Sequence, residues 1–193
     1  MSVDGAALVR STMTDAIALH QRMMTDGVQP VVDAASAIAA ALAAGGKLLA
    51  FGNGGSAGDA QHVAAELVGR FEKKKRAGLA ALALTADGSV LTSIGNDEGF
   101  ERVFARQIEA LARRGDVALG ITTSGASANV VSALESARAQ GVQTIALTGR
   151  DGGAAGRAAA IHINVASDST PRVQEVHRTL LHVICDLIER AFP

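Results

Sequence analysis

The stretch FGNGGSAGDAQHVAAELVGR, residues 51–70, joins a glycine-rich turn to a segment with helical periodicity. The short apolar run KLLAFG overlaps its start, so the local order is strand, loop and helix. Glycine lets the backbone approach an anion, and the free N–H groups at a helix start favour phosphate. The stretch therefore predicts an anion-binding turn at the carboxyl end of a strand.

Four more apolar runs have strand character, namely LAALALT (79–85), DVALGITTSG (116–125), VQTIALTG (142–149) and AIHINVA (160–166). Amphipathic segments separate them, which predicts a three-layer α/β/α sandwich with a five-stranded parallel sheet of flavodoxin-like topology. Residues from about 5 to 44 read as a helical hairpin for packing and oligomer contacts. The length fits one domain over 1–193.

Composition argues against several classes of protein. A formal net charge of -1 and a pI near 6.5 give no electrostatic basis for binding nucleic acid or an anionic membrane. No apolar run reaches about 18 residues and no basic-then-apolar leader opens the chain, so we expect a cytoplasmic protein without a membrane span. The single cysteine, Cys185, lies among apolar residues and is expected to be a buried, unreactive thiol.

A second glycine-rich loop, TTSGASAN at residues 122–129, follows another predicted strand. Taken alone, either loop is equally consistent with an ordinary strand-to-helix turn whose serine caps the helix. Two such loops at the carboxyl ends of strands in one parallel sheet favour a shared ligand site. Neither loop matches G-x-G-x-x-G or the Walker pattern, so we expect no nucleotide cofactor and favour a sugar phosphate.

Five segments together resemble the phosphoheptose (sedoheptulose 7-phosphate) isomerases of the SIS, or sugar isomerase, fold group. They are GNGGSAGDAQHVAAELVGR, SIGNDEGF, TTSGASAN, LTGRDGG and PRVQEVHRTLLH, and the resemblance covers essentially the whole chain. It implies conversion of D-sedoheptulose 7-phosphate to D-glycero-D-manno-heptose 7-phosphate through an enediol, the first step of bacterial heptose synthesis for lipopolysaccharide or capsule. The family usually has STSG where this chain has TTSG, and Thr122 keeps the hydroxyl.

The resemblance also implies which residues bind the substrate. They are Asn53, Gly54, Gly55, Ser56, Glu66, Arg70, Asn96, Asp97, Thr122, Thr123, Ser124, Ser127 and Gln174. The assignment of Arg70 has an equally good alternative, because a cation at the C-terminal end of a helix is favoured by the helix dipole.

Aldose–ketose isomerisation requires one group that removes a proton beside a carbonyl and a second group that handles the returning proton. Glu66 is the candidate base, and the resemblance assigns His182 as the opposing acid or base. It further implies one zinc ion per subunit, held by His62, Glu66, Gln174 and His182, which would polarise the carbonyl. Without the resemblance, a surface pair of His62 with Glu66 and a packed core position for His182 would be the simpler interpretations.

One spacing raises a difficulty for this ligand set. In a continuous helix, Gln174 and His182 lie about 12 Å apart along the axis, too far to share an ion easily within one chain. Either the helix begins after Gln174, with Pro171 marking a helix start close by, or the site collects side chains from neighbouring subunits. We expect a homo-oligomer, a tetramer by resemblance, with active sites at subunit interfaces.

Two other features have competing interpretations. His177 follows Gln174 by three residues and competes with His182 for the catalytic role, although the resemblance favours His182 and leaves His177 as a neighbour of the site. The run EKKKR at 72–76 is most simply a solvated loop, with phosphate steering as the alternative.

Three classes of function are compatible with the sequence. Glu66 and His182 together favour an enzyme. A non-catalytic SIS regulator that binds the replication initiator would lack this pair, and a sugar-phosphate sensor would need only the two loops. The residues themselves do not distinguish a seven-carbon from a six-carbon sugar, because the loops contact the phosphate and the carboxylate contacts an acidic carbon.

Overall fold

A computed structural model describes residues 4–192; the predicted domain 1–193 also includes residues 1–3 and 193, which lie outside the described residues. The elements in chain order are α1 (Gly5–Asp26), α2 (Val28–Ala43), β1 (Leu48–Gly52), α3 (Gly55–Val68), β2 (Ala81–Ala83), α4 (Gly88–Asp97), a 3-10 turn (Phe100–Arg102), α5 (Ala105–Leu111), β3 (Val117–Thr122), α6 (Ala128–Ala139), β4 (Gln143–Gly149), α7 (Gly153–Ala158), β5 (Ile161–Val165) and α8 (Thr170–Ala191).

The five strands form one parallel sheet in the order β2-β1-β3-β4-β5. Every residue of β1 and β3 is buried, which explains why their sequences are apolar without alternation. Such runs are typical of parallel strands covered on both faces. The predicted five-stranded parallel sheet is confirmed, and each of the five predicted runs contains one strand.

Two hydrophobic cores lie on opposite faces of the sheet. On one face, α2, α3 and α8 pack closely, with residues such as Ile38, Val63 and Leu181 fully or almost fully buried. On the other face, α5, α6 and α7 supply a second core that includes Ile108 and Leu134. The predicted three-layer α/β/α sandwich is therefore confirmed.

The order of strands reverses between β1 and β3. The chain adds β2 on one side of β1 and then crosses to place β3 on the other side. The helices that follow β1 and β3 lie on opposite faces, since α3 belongs to the first core and α6 to the second. This divergence opens a crevice at the carboxyl ends of the two strands, where open α/β sheets bind their ligands.

At the amino ends of β1 and β3, one buried carboxylate joins the two strands. Asp116 accepts hydrogen bonds from the backbone N–H groups of Lys47 and Arg113 and from the Lys47 ammonium, at 2.9, 2.8 and 2.6 Å. Burial alone would raise the pKa of Asp116, but these hydrogen bonds hold it below its ordinary value. The contact fixes the sheet at the end opposite the crevice.

The N-terminal segment forms two helices, and Gly27 alone separates α1 from α2. A Cβ at this position would collide with the end of the Met23 side chain, so Met23 packs directly over the junction. Pro30 falls in the first turn of α2, where its missing N–H costs nothing. Within residues 4–192, no helix combines the length and the apolar character needed to cross a membrane.

Candidate functional site

A cavity of about 270 Å³ opens between the two glycine-rich loops at the crevice. We call it the anion cavity; its walls are formed by Asn53, Gly54, Gly55, Ser56, Ile121, Thr122, Thr123, Ser124, Ser127, Thr170 and Gln174. The lining includes the first residues of α3, the residue before α6 and the first residue of α8. Three helix N-termini therefore meet at one cavity, a geometry that favours a bound anion.

The serines of the two loops do not cap their helices. The residue preceding α3 is Gly54, and the side chain of Ser127, the residue preceding α6, makes no capping hydrogen bond. Instead the Thr122 hydroxyl lies 2.9 Å from the Ser127 hydroxyl and 3.2 Å from that of Ser124. The interpretation of these loops as ordinary serine-capped turns is therefore wrong, because the hydroxyls turn toward one another along the cavity.

An amide pair joins the two loops across the crevice. The Asn53 amide donates to Asn129 Oδ1 at 2.8 Å, and the Asn129 amide donates back to Asn53 Oδ1 at 2.9 Å. Asn129 was not among the predicted site residues, although it is the last residue of the quoted loop TTSGASAN. Gly54 has a φ of +56°, which only glycine adopts without strain, so the backbone can turn sharply beneath this pair.

Helices α3 and α8 lie side by side and run in the same direction. The Gln174 amide packs directly over Gly55, so that a Cβ there would collide with it. One turn further along, Arg178 pairs with Asp59 at 2.6 Å, and His182 then meets His62. We call this contact the α3–α8 seam. It brings together residues about 120 positions apart in the chain.

The proton-transfer candidates lie in the middle of the seam. His62 Nε2 is 2.7 Å from His182 Nε2 and 3.4 Å from Glu66 Oε1. Burial and the neighbouring Arg178 guanidinium lower the pKa of His62 despite the Glu66 carboxylate, so the neutral imidazole is favoured. With a rise of 1.5 Å per residue, His62 is about 10 Å along α3 from Gly55. The anion cavity and the acid/base residues are thus at different points of one seam.

The donor set at His62 suits zinc in its chemistry, since two imidazole nitrogens and a carboxylate are common zinc ligands. The three side chains are adjacent in the fold. In residues 4–192, however, no group of three or more His, Cys, Asp or Glu side chains is arranged to hold a metal ion. Within one chain the two imidazoles share a hydrogen bond and Glu66 lies beside His62, but the three side chains do not form a closed coordination site.

The predicted fourth ligand, Gln174, lies elsewhere. Helix α8 begins at Thr170 and includes Gln174, so the explanation in which the helix starts after Gln174 is wrong. Pro171 lies in the first turn of α8, so the helix starts before Gln174 and not after it. Gln174 lines the anion cavity, about 12 Å along α8 from His182.

Four predicted substrate-binding residues lie outside the anion cavity of this chain, namely Glu66, which is on the seam beside His62, and Asn96, Asp97 and Arg70. Asn96 and Asp97 are exposed at the end of α4, where the Asn96 amide donates to Asp97 Oδ1 at 2.7 Å. Arg70 is exposed just after α3 ends at Val68, so it is not a cation within the last helical turn. The assignment of all four residues to the substrate stays a prediction.

The run EKKKR is only partly a solvated loop. Glu72 and the three lysines are exposed, but Arg76 is 8% exposed and pairs with Glu189 at 3.0 Å. The interpretation as a solvated loop is therefore wrong for Arg76. Burial alone would raise the pKa of Glu189, but hydrogen bonds from Lys73, Glu72, Arg76 and Phe71 lower it to about 2.

Comparison with known proteins identifies the family. A family model described as SIS domain matches residues 13–149. The phosphoheptose isomerase of Geotalea daltonii is 55% identical over 175 residues, which are 89% of this chain and 91% of that protein. The chain belongs to the phosphoheptose isomerase family of SIS-domain proteins. The resemblance predicted from sequence is confirmed, and the enzyme class is isomerase.

Solved structures of family members share the whole fold. The phosphoheptose isomerase of Neisseria gonorrhoeae superposes with a TM-score of 0.90 at 45% identity, covering 96% of this chain and 98% of that one. The phosphoheptose isomerase of Francisella tularensis gives 0.93 at 36% identity and covers 98% of this chain and 100% of that one. The match includes the N-terminal helices as well as the sheet.

His177 is a core residue of this isomerase. It is fully buried, and its Nε2–H donates to the Thr148 carbonyl at 2.9 Å, whereas its Nδ1 has no hydrogen-bond partner among residues 4–192. Burial lowers its pKa to about 4, although the bond to Thr148 opposes the shift. His182 lies on a different face of α8 and is the histidine that meets His62, and its preference over His177 as the catalytic residue stays a prediction.

We expect His177 to make the stability of the isomerase depend on pH. Its stabilising contribution is complete above its ordinary pKa of 6.5 and falls as the pH drops toward 4, because only the unfolded chain binds the proton there. The His177→Gln variant keeps an N–H donor but does not titrate. Urea unfolding at several pH values should show a decline between pH 6.5 and 4 that is smaller in the variant, by up to about 3 kcal/mol. Equal declines would contradict this assignment.

Proposed function

We propose that the chain converts D-sedoheptulose 7-phosphate to D-glycero-D-manno-heptose 7-phosphate, an aldose–ketose isomerisation in bacterial heptose synthesis. The observation that supports it best is the placement of Glu66 and His182 on the same seam as the anion cavity. A substrate whose phosphate occupies the cavity would extend along the seam toward these two side chains. A cytoplasmic location is part of the same proposal.

The phosphate group is held in the anion cavity. The hydroxyls of Thr122, Ser124 and Ser127 and the N-termini of α3, α6 and α8 surround it without any carboxylate in the lining. Hydroxyl and N–H donors stabilise the dianion, and no negative side chain opposes it. Phosphate binding therefore positions the sugar and leaves the proton chemistry to residues further along the seam.

Proton transfer is assigned to Glu66 and His182. The Glu66 carboxylate removes a proton from C1 of the ketose, while His182 donates a proton to the C2 carbonyl oxygen, giving the enediol. Glu66 then returns its proton to C2, and His182 takes the proton from the C1 hydroxyl, which becomes the aldehyde oxygen. Both residues end the cycle in their starting protonation states.

The regulator and the sensor are the competing proposals. Either would bind a sugar phosphate or a partner protein without turnover, so the loss of an acid/base side chain would cause no loss of isomerisation in them. The contact of His182 with the His62–Glu66 pair favours the enzyme, because a sensor gains nothing from it.

The test is proton NMR of sedoheptulose 7-phosphate with the protein in deuterated water. We expect aldose signals with solvent deuterium at C2, and a decrease in rate of roughly 10²-fold or more in Glu66→Gln and in His182→Ala, because each removes one proton-transfer group. Glu135→Gln, an exposed carboxylate on α6, is the matched control and should match wild type. Substrate that binds but stays unchanged with wild-type protein would leave a sensor or regulator as the better account.

We also propose that the isomerase binds one zinc ion per subunit through His62, Glu66 and His182. The donor chemistry supports this, and Gln174 would have to come from a neighbouring subunit to complete the set. When bound, zinc would act as a Lewis acid that polarises the substrate carbonyl. His62 serves as the common neighbour of the other two donors.

Metal analysis of the purified protein tests the zinc proposal independently of activity. After dialysis against zinc and then against metal-free buffer, plasma emission spectrometry should find about one zinc per chain in wild type and far less in His62→Ala, because the central donor is lost. His162→Gln alters a histidine that bonds Thr148 on another part of the fold and should keep its zinc. Retention of full zinc by His62→Ala would reject this ligand set.

We further propose a homotetramer with active sites at subunit interfaces. An apolar stripe runs along α1 through Val9, Met13, Ile17 and Met24, each more than half exposed. It borders an apolar groove between α1, α2 and α8 that includes Val28 and Val183. Apolar side chains clustered in this way on a surface mark a protein contact.

Light scattering during gel filtration tests the assembly. We expect four times the chain mass for wild type and a smaller species for Met13→Glu/Ile17→Glu, because two carboxylates would be buried in the contact. Ser11→Glu places one charge on the opposite, exposed face of α1 and should remain a tetramer. A fully active wild-type monomer would refute both the assembly and the interface sites.

A further inference from the structure

A second buried polar cluster lies beside the proton-transfer residues. The Arg76 guanidinium and the Glu189 carboxylate are both nearly inaccessible, with side chains 1% and 4% exposed. Glu189 accepts the backbone N–H groups of Phe71, Glu72 and Lys73 at 3.1, 2.8 and 2.8 Å. One carboxylate on α8 therefore fixes the start of the loop that follows α3.

Arg76 fixes the other side of the same loop. Its guanidinium donates to the carbonyls of Glu66, Leu67 and Ala77 at 2.9, 2.9 and 2.6 Å. The first two carbonyls belong to the last turn of α3, where an arginine can replace the hydrogen bonds that a helix end lacks. Arg76 thus contacts the backbone of the candidate base itself.

The cluster also acts on His182. Phe71, whose N–H is held by Glu189, places its ring against His182 with the ring centroids 5.7 Å apart. Glu189 is seven residues after His182, two turns along the same face of α8. The backbone of Glu66 and the ring of His182 are therefore held by one set of contacts.

We propose that Arg76 and Glu189 form a positioning clamp that sets the separation of Glu66 and His182, the two residues assigned above to proton transfer, and the clamp rests on that assignment. Neither residue touches the substrate. A buried ion pair adds little net stability compared with apolar side chains of the same volume. The hydrogen bonds to Glu66 and to the Phe71 backbone give the pair a geometric role instead.

The experiment compares Glu189→Gln and Arg76→Lys with wild type in the same isomerisation assay, below the unfolding temperature of each variant. Misplacement of a catalytic group by about 1 Å costs on the order of 10²-fold in rate, so we expect kcat to fall by about tenfold or more. The anion cavity is unaffected, so KM should change less than about threefold. Arg76→Lys keeps the charge but loses the forked donors, which provides a milder variant if Glu189→Gln does not fold.

Asp116→Asn is the matched control. Asp116 is also a buried carboxylate that holds two backbone N–H groups and a cation, but its partners, Lys47 and Arg113, precede β1 and β3 and do not belong to the loop that follows α3. If the loss of activity came only from reduced stability, Asp116→Asn would lose as much activity as Glu189→Gln. The clamp instead predicts a lower kcat for Glu189→Gln and Arg76→Lys and an unchanged kcat for Asp116→Asn. The NMR signals of the His182 ring should also shift in Glu189→Gln, because the Phe71 ring moves away.

The outcomes separate two failures. If Glu66→Gln loses turnover while folded Glu189→Gln and Arg76→Lys keep the kcat of Asp116→Asn, or if the His182 signals do not move, the clamp alone is overturned. If Glu66→Gln itself keeps turnover, the acid/base assignment is overturned and the clamp falls with it.

Discussion

The parallel packing of α3 against α8 is the constraint on which the candidate site depends. The two helices belong to distant parts of the chain, yet contacts at Gly55, Asp59 and His62 match residues of α8 in the same order. Because Gly55 has no side chain, the Gln174 amide can lie directly on the start of α3. A shift of either helix by one turn would separate His62 from His182 and move Gln174 out of the anion cavity.

The seam also separates two kinds of chemistry that would interfere at close range. Anion binding needs positive helix ends and neutral donors, whereas proton abstraction needs a carboxylate, which would repel a phosphate dianion beside it. The anion cavity lies at the N-termini of the helices and Glu66 lies more than two turns further along α3, which is the separation that the proposed function requires. Asp59, the carboxylate in between, is paired with Arg178, so its charge is balanced within the seam.

Much of the fold could be predicted from sequence because its signals are local. Five apolar runs predict five strands, and the glycine-rich loops predict the anion cavity. No local pattern in the sequence indicates which residues far apart in the chain will be in contact. Arg76 appeared to belong to a solvated basic run, and only the fold brings it to Glu189, 113 residues later. The ion pair between Asp59 and Arg178 is a second example, because neither helix sequence indicates that the two residues meet.

The position of Gln174 shows how a single helix boundary limits such reasoning. Pro171 correctly indicated a helix start, but the start lies before Gln174 rather than after it. Helix boundaries are uncertain by a few residues from sequence, and here that uncertainty decides whether Gln174 and His182 can approach one another. Of the two explanations considered for Gln174, the continuous helix contradicts the first and leaves the neighbouring subunit as the proposal.

The absence of a side-chain cap at the start of α3 and α6 has a consequence for the life of the protein in the cell. Gly54 offers α3 no side chain, and the Ser127 hydroxyl before α6 is directed at Thr122 in the cavity, so a phosphate group bound there, as proposed above, would complete both helix ends. Any ligand that binds only the folded chain shifts the folding equilibrium toward it. Under the proposed function, substrate would therefore stabilise the folded chain, and the chain without substrate would be the one more open to proteases.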